Sequence, residues 1–157
     1  MTLELENFDE VRIRGEALYK TFEPIYCPYL EAKVHFNSEG LEHLKFKRRR
    51  VARPRQDQYM RFKLLWLAPV ILSTSKTVQG IWETKEFIQV RVHNRNENVL
   101  KPIVYFEFVA VYEKIRVKVI VKRIDNSVPI FWSIIPYWGI NKSNNKRKLH
   151  SGNLNED

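Results

Sequence analysis

The chain has 157 residues, of which 44% are hydrophobic and 13% aromatic, and this composition excludes a disordered protein. Its single cysteine, Cys27, excludes an internal disulfide and a zinc site built mainly from cysteines. The net charge of +9 is uneven, because residues 45–63 hold nine basic residues and only Asp57 on the acidic side, a net of +8. Such a local excess attracts polyanions and favours an anion-binding surface, above all for RNA, over a merely solvated face.

The first half of the chain predicts three helices and a short strand. Residues 9–22 carry apolar side chains at helical spacing. Residues 32–36 predict a short strand, and residues 39–46 predict a short helix after a capping Asn-Ser pair. Residues 56–72 predict one long helix, which Pro69 kinks or ends.

The second half predicts strands. Alternating or β-branched and aromatic runs occupy residues 78–92, 101–113, 115–124 and 129–138, and turn residues occupy 94–98 and 125–127. Helices followed by strands with short connections predict an α+β fold, in which N-terminal helices pack on a C-terminal antiparallel meander sheet of four to five strands.

The length predicts one domain over residues 1–140, followed by a flexible basic and polar tail over residues 141–157. The acidic N-terminus lacks the pattern of a signal peptide, and no apolar run is long enough to span a bilayer. We therefore expect a cytoplasmic protein with no membrane partner.

The strand at residues 115–124 has a basic face. Its valines point one way, whereas Lys118 and Lys122 point the other way, either to block edge pairing or to bind phosphate. Ser133 is the only hydroxyl residue of the next, apolar strand. If the connection between the two strands has two or four residues, Ser133 shares the face of the two lysines, where its hydroxyl could bind a phosphate oxygen.

Two histidines are candidates for acid–base chemistry. His35 ends the first predicted strand and His43 lies on the short helix after it, although either one alone is more often structural. Their spacing matches no standard metal motif, so we expect neither a metal site nor a cofactor. Cleavage of RNA without metal needs a proton acceptor, a proton donor and cations for the charge on phosphorus, and histidine with lysine, arginine and a hydroxyl supplies them.

The order of these elements resembles a superfamily of small nucleases. A His-bearing strand (Val34-His35-Phe36) and helix (Leu41-Glu42-His43-Leu44) precede a basic helix and a meander that ends in Phe131-Trp132-Ser133-Ile134-Ile135-Pro136. That order is similar to the superfamily that joins barnase, EndoU, the tRNA-cutting colicins and RelE-like toxins, especially its phage- and toxin-associated branches. The resemblance implies a metal-independent ribonuclease that cuts tRNA or mRNA and is held in check by a cognate protein.

The resemblance also implies roles for single residues. His43 and His35 become acid–base candidates, Lys122 a charge stabiliser and Ser133 a hydroxyl on the last strand. The predicted nucleic-acid contacts are Lys47, Arg48, Arg49, Arg50, Arg53, Arg55, Arg61 and Lys118. Two alternatives share the basic segment but need no histidine: a non-catalytic RNA- or DNA-binding module, and an interaction protein that docks an acidic partner such as an antitoxin.

Overall fold

The computed structural model describes residues 7–136, 140–141, 146–147 and 153–157. In chain order its elements are α1 (Phe8–Thr21), β1 (Ile25–Cys27), β2 (Ala32–Val34), α2 (Ser38–Lys45), β3 (Phe46–Arg48), β4 (Val51–Ala52), α3 (Arg55–Leu64), α4 (Leu67–Thr74), β5 (Gly80–Val92), β6 (Arg95–Tyr112), β7 (Ile115–Ile124), β8 (Ile130–Pro136), β9 (Ile140–Asn141) and β10 (Lys146–Arg147). Helices precede a four-stranded antiparallel sheet of order β5-β6-β7-β8, which confirms the predicted α+β fold. No helix in the described part of the chain is long and apolar enough to cross a membrane.

Helix α2 begins where the sequence provides a capping residue. Asn37 caps α2, because its side chain accepts a hydrogen bond of 3.2 Å from the Gly40 amide. The single long helix predicted at residues 56–72 is wrong, since two helices separated by Leu65 and Trp66 occupy that region. Pro69 causes neither a kink nor an end. It lies in the first turn of α4, where the missing N–H removes no helical hydrogen bond.

One face of the sheet carries the main hydrophobic core. The helices pack on this face, and the core between them includes Phe62, Leu72, Phe108, Val119 and Phe131.

The strands β5 and β6 join through His93 and Asn94, both at positive φ, which is the geometry of a tight two-residue hairpin turn. The turn is therefore shorter than the one predicted at residues 94–98, and β6 begins at Arg95.

The register between β7 and β8 changes at Trp132. Near the turn Val121 pairs with Phe131, but beyond Trp132 the pairing shifts so that Ile120 faces Ser133. Directly opposed residues share a face, so Ser133 lies on the face of Lys118 and Lys122, as predicted. The route differs from the prediction, because the connection has five residues and only the β-bulge at Trp132 restores the predicted register.

The second face of the sheet is covered in part by the segment Asn153–Asp157, which we call the 153–157 segment. Leu154 is buried there in a small cluster that includes Ile103, Ile120 and Ile135. These five residues belong to the tail that the sequence predicts to be flexible, and they pack instead on the sheet. The rest of that predicted tail lies outside the described residues, apart from Asn141 and the backbone of β10.

Candidate functional site

A cavity of about 630 Å³ opens between α2, the hairpin of β3 and β4, and β8. Four consecutive basic residues of the hairpin line one side, and we call them the basic rim: Lys47, Arg48, Arg49 and Arg50. All four are exposed. Glu39 and Glu42 of α2 line the cavity as well, but Glu42 forms an ion pair of 3.2 Å with Lys45 outside the cavity lining. The balance of charge at the mouth of the cavity is therefore positive.

The imidazole of His43 and the indole of Trp132 line this cavity. The two rings stack with centroids 4.1 Å apart. The ammonium of Lys122 also lies 4.1 Å from the centre of the Trp132 ring, which is close enough for a cation–π interaction. Trp132 lies at the β-bulge of β8, and its indole contacts both His43 of α2 and Lys122 of β7.

Arg53 fixes the protonation of His43. Its Nη2 lies 3.0 Å from Nε2 of His43, and its Nε donates to the His43 carbonyl at 2.9 Å. A guanidinium only donates, so Nε2 carries the lone pair and the ring proton is on Nδ1. Burial, followed by the charges of Arg53, Arg61 and Lys122, lowers the pKa of His43 to about 2. In this conformation His43 is neutral and acts as a hydrogen-bond acceptor.

A buried charge network extends from Arg53 to Ser133. Asp57 of α3 accepts a hydrogen bond of 2.6 Å from Arg61 and lies 3.6 Å from Arg53. Arg61 donates to the Ser133 hydroxyl at 2.5 Å. Burial, followed by the charge of Arg61, lowers the pKa of Arg53 to about 10, with the charges of Asp57 and Asp157 opposing the shift. One carboxylate thus lies between two guanidinium groups that are almost fully buried.

Lys122 lies at the edge of this cluster, facing Tyr105 and Trp132. Its Nζ is 4.0 Å from a carboxylate oxygen of Glu86 and 5.6 Å from the centre of the Tyr105 ring. Burial lowers the pKa of Lys122, while the charges of Glu86 and Glu39 oppose the shift. Burial also raises the pKa of Tyr105, whose hydroxyl donates to Glu86 at 2.7 Å.

The predicted site residues therefore separate into two groups. His43, Lys122, Ser133, Arg53 and Arg61 come together, and the basic rim lies beside them.

The remaining predicted residues lie elsewhere. His35 is not among the described residues that line the cavity, and its main chain bridges to Ile130. Arg55 is exposed and lies over the Phe8 ring. Lys118 is buried and bonds to Glu107 at 2.8 Å, so it is not part of an exposed basic face.

Burial also corrects the prediction that Arg53 and Arg61 lie on a nucleic-acid surface. Both are at most 3% exposed, because Asp57, the one acidic residue of the basic segment, pairs with them. Sequence reasoning assigned no role to Asp57 or Trp132. The signal for Asp57 was present, since it lies four residues from each arginine and thus on one helical face with Arg61.

Within the described residues, no group of three or more His, Cys, Asp or Glu side chains could hold a metal ion. No family model matches this chain, and no curated protein or solved structure matches it either.

Proposed function

We propose that this protein is a metal-independent ribonuclease that acts on tRNA or mRNA in the cavity beside His43. One observation carries the proposal. His43, Arg53, Arg61, Lys122 and Ser133 come from separate parts of the chain and lie together where the basic rim can bring a phosphodiester. A polar cluster of this composition next to a basic cavity supplies a proton acceptor and the cations that stabilise charge on phosphorus, both of which RNA cleavage requires.

The reaction assigns steps to His43, Lys122 and the two buried arginines. The 2′-hydroxyl oxygen attacks the adjacent phosphorus, the bond to the 5′-oxygen breaks, and the products carry a 2′,3′-cyclic phosphate and a 5′-hydroxyl. His43 accepts the proton of the 2′-hydroxyl, and the 5′-oxygen takes up a proton from water as it leaves. Lys122 and the buried arginines stabilise the negative charge that develops on the phosphorane oxygens.

Binding of RNA has to change His43 before it can act as a base. Its lowered pKa results first from burial and then from three cations. A phosphate placed among Arg53, Arg61 and Lys122 offsets the cationic part of that shift and raises the pKa of the imidazole. The conformation described here is accordingly a resting form, and binding of the substrate raises the pKa of His43 so that it can act as a base.

Incubation of RNA with the purified protein in excess EDTA tests the proposal. The expected products end in a 2′,3′-cyclic phosphate, and a DNA strand of the same sequence stays intact because it lacks the attacking hydroxyl. Toxicity on expression, relieved by His43→Gln, is the cellular counterpart. Intact RNA together with normal growth would contradict a ribonuclease.

A second candidate is a non-catalytic RNA-binding module, and the hydrogen bond between Arg53 and Nε2 of His43 favours it. That bond occupies the nitrogen that a base would use. The module predicts salt-dependent RNA binding, no cleavage, and equal affinity in His43→Gln.

The exposed basic rim also fits an acidic protein such as an antitoxin. A gel-shift experiment with total RNA near physiological salt separates the two kinds of partner. The RNA-directed proposals predict a shift, whereas a protein that only docks an acidic partner leaves RNA unshifted.

A further inference from the structure

Specific side-chain and main-chain contacts hold the 153–157 segment on the sheet. Leu154 is 4% exposed and packs among apolar residues of β6, β7 and β8. The side-chain oxygen of Asn155 lies 2.8 Å from the Tyr105 hydroxyl, whose single proton it shares with Glu86, and its carbonyl accepts a hydrogen bond of 3.2 Å from the Trp132 indole. These contacts fix the two residues that follow.

Those two residues present their main-chain oxygens to the buried arginines. The oxygen of Asp157 accepts hydrogen bonds from Arg61, from the Ser133 hydroxyl at 2.8 Å and from Arg53 at 3.3 Å. The oxygen of Glu156 accepts a further bond of 2.8 Å from Arg53. Two guanidinium groups and a hydroxyl that converge on a pair of oxygens form the arrangement with which proteins bind phosphate.

The charges of the network show why an oxygen ligand is needed there. Arg53 and Arg61 pair with the carboxylate of Asp57, and the charge of Asp157 in the segment also acts on Arg53. Without the segment, the side chains of Arg53, Arg61 and Asp57 carry a surplus of one positive charge. All three are buried, and a buried guanidinium without enough acceptors is costly. When the 153–157 segment leaves, the cluster needs another acceptor, and an anion meets that need best.

We propose that Arg53, Arg61 and Ser133 form a phosphate subsite that the 153–157 segment fills in the resting protein, so that the segment and a phosphate of the RNA strand compete for it. This inference rests on the proposed function, because the ribonuclease reaction supplies the phosphate. Asn155 also lines the cavity next to Trp132, so the segment lies between the cavity and the subsite. Arg48 of the basic rim forms an ion pair of 2.7 Å with Glu156, so the segment engages a rim side chain as well.

The competition is strong for a small ligand and weaker for RNA. A tethered segment acts at an effective concentration on the order of millimolar, so free phosphate displaces it only partly. An RNA strand binds the basic rim at the same time, so it gains affinity from both places. Displacement of the segment also uncovers part of the site, which lowers the desolvation that holds down the pKa of His43.

Leu154→Asp tests the inference, since a carboxylate cannot be buried among isoleucines without a partner. The probes are inorganic phosphate and a short single-stranded RNA, with affinities measured by calorimetry on the full chain. We expect about tenfold tighter binding of phosphate in the variant, consistent with loss of a millimolar internal competitor, and a smaller gain for RNA, because RNA also binds the basic rim. Addition of Ser133→Ala to Leu154→Asp should remove most of the gain for phosphate.

Exchange of the backbone amides supplies an independent readout in the wild-type chain. Saturating RNA should speed amide hydrogen exchange in residues 154–157, because bound phosphate displaces the segment. If Leu154→Asp fails to fold, as judged by circular dichroism, Asn155→Ala replaces it. That variant removes Asn155 as one of the two acceptors that share the Tyr105 hydroxyl proton, so a gain of about twofold to threefold is expected for loss of part of one hydrogen bond.

The outcomes separate this inference from the proposed function. Equal RNA affinity in wild type and folded variant, with unchanged amide exchange, would overturn the competition and leave the ribonuclease proposal standing. Tighter phosphate binding in the variant with no RNA binding by either protein would uphold the subsite and contradict the ribonuclease.

Discussion

The imidazole of His43 stacks on the indole of Trp132 with an angle of 19° between the planes, and this contact joins the helical layer to the edge strand of the sheet. The same indole contacts the Lys122 ammonium and donates to the Asn155 carbonyl. Trp132 is thus the point at which the cavity, the charge network and the 153–157 segment meet.

The neutral, buried state of His43 predicts a loss of stability in acid. Its pKa falls from 6.5 to about 2 on folding, so the unfolded chain binds the extra proton between those values. Stability then rises with pH, and acidification from about pH 7 to about pH 5 should lower the free energy of unfolding by up to about 2 kcal/mol. Urea unfolding at both pH values measures this change in the free energy of unfolding.

His43→Gln is the decisive variant for that prediction. The glutamine side chain accepts the bond from Arg53 but does not titrate, so the pH dependence over this window should shrink. Urea unfolding of His43→Gln at about pH 7 and about pH 5 measures the change. An identical slope in His43→Gln and wild type would refute the assignment.

Asp57→Asn should destabilise the protein strongly. The change leaves Arg53 and Arg61 buried without their carboxylate, and the loss of one partner of a buried ion pair costs about 3–5 kcal/mol. The control is Glu10→Gln on α1, where the pair with Arg14 is exposed and screened and should contribute under about 0.5 kcal/mol. Chemical denaturation compares the two, and similar losses would argue against a buried network.

Gly40→Ala should loosen the contact between α2 and β8. A Cβ at this glycine would lie 2.5 Å from the Phe131 carbonyl oxygen and 2.6 Å from the Tyr19 hydroxyl. Because the backbone of β8 cannot move aside without disturbing the sheet, we expect a cost of about 1–3 kcal/mol in thermal unfolding. A loss of less than about 0.5 kcal/mol in Gly40→Ala would contradict this close contact between α2 and β8.

The basic rim predicts a defined salt dependence of RNA binding. Lys47→Ala and Arg49→Ala should each weaken binding to different RNA sequences about equally and reduce the salt slope by about one. Arg95→Ala removes the same charge from the end of the β5–β6 hairpin, outside the cavity lining, and should change neither quantity. Equal effects of the three substitutions would mean that RNA binds by overall charge alone.

The sequence predicted the fold because local signals and tertiary packing agree in most elements. The capping asparagine before α2 and the alternating valines of β7 each predict an element that the structure confirms. Pro69 is the exception. A proline within an apolar run predicts the end of a helix, but the first turn of a helix tolerates proline. Where α4 starts depends on packing, so the sequence alone did not place Pro69 in that first turn.

The candidate site was harder to predict, since it depends on contacts between residues far apart in the chain. The bulge at Trp132 places Ser133 on the same face of the sheet as Lys118 and Lys122, and no local sequence pattern predicts this bulge. The burial of Arg53 and Arg61 follows from their pairing with Asp57 and from the 153–157 segment, whose polar sequence predicts a loose tail. Charge counting located the basic segment but could not separate its exposed rim from its buried arginines.

The rate of RNA cleavage in EDTA, at an excess of protein over RNA, tests the central claim most directly when His43→Gln is compared with His35→Gln. The cavity mechanism predicts that His43→Gln lowers the rate by at least about 100-fold, the usual contribution of a positioned base, while His35→Gln cleaves like the wild type. Cleavage that survives unchanged in a folded His43→Gln protein, or no cleavage by any of the three proteins, would contradict it.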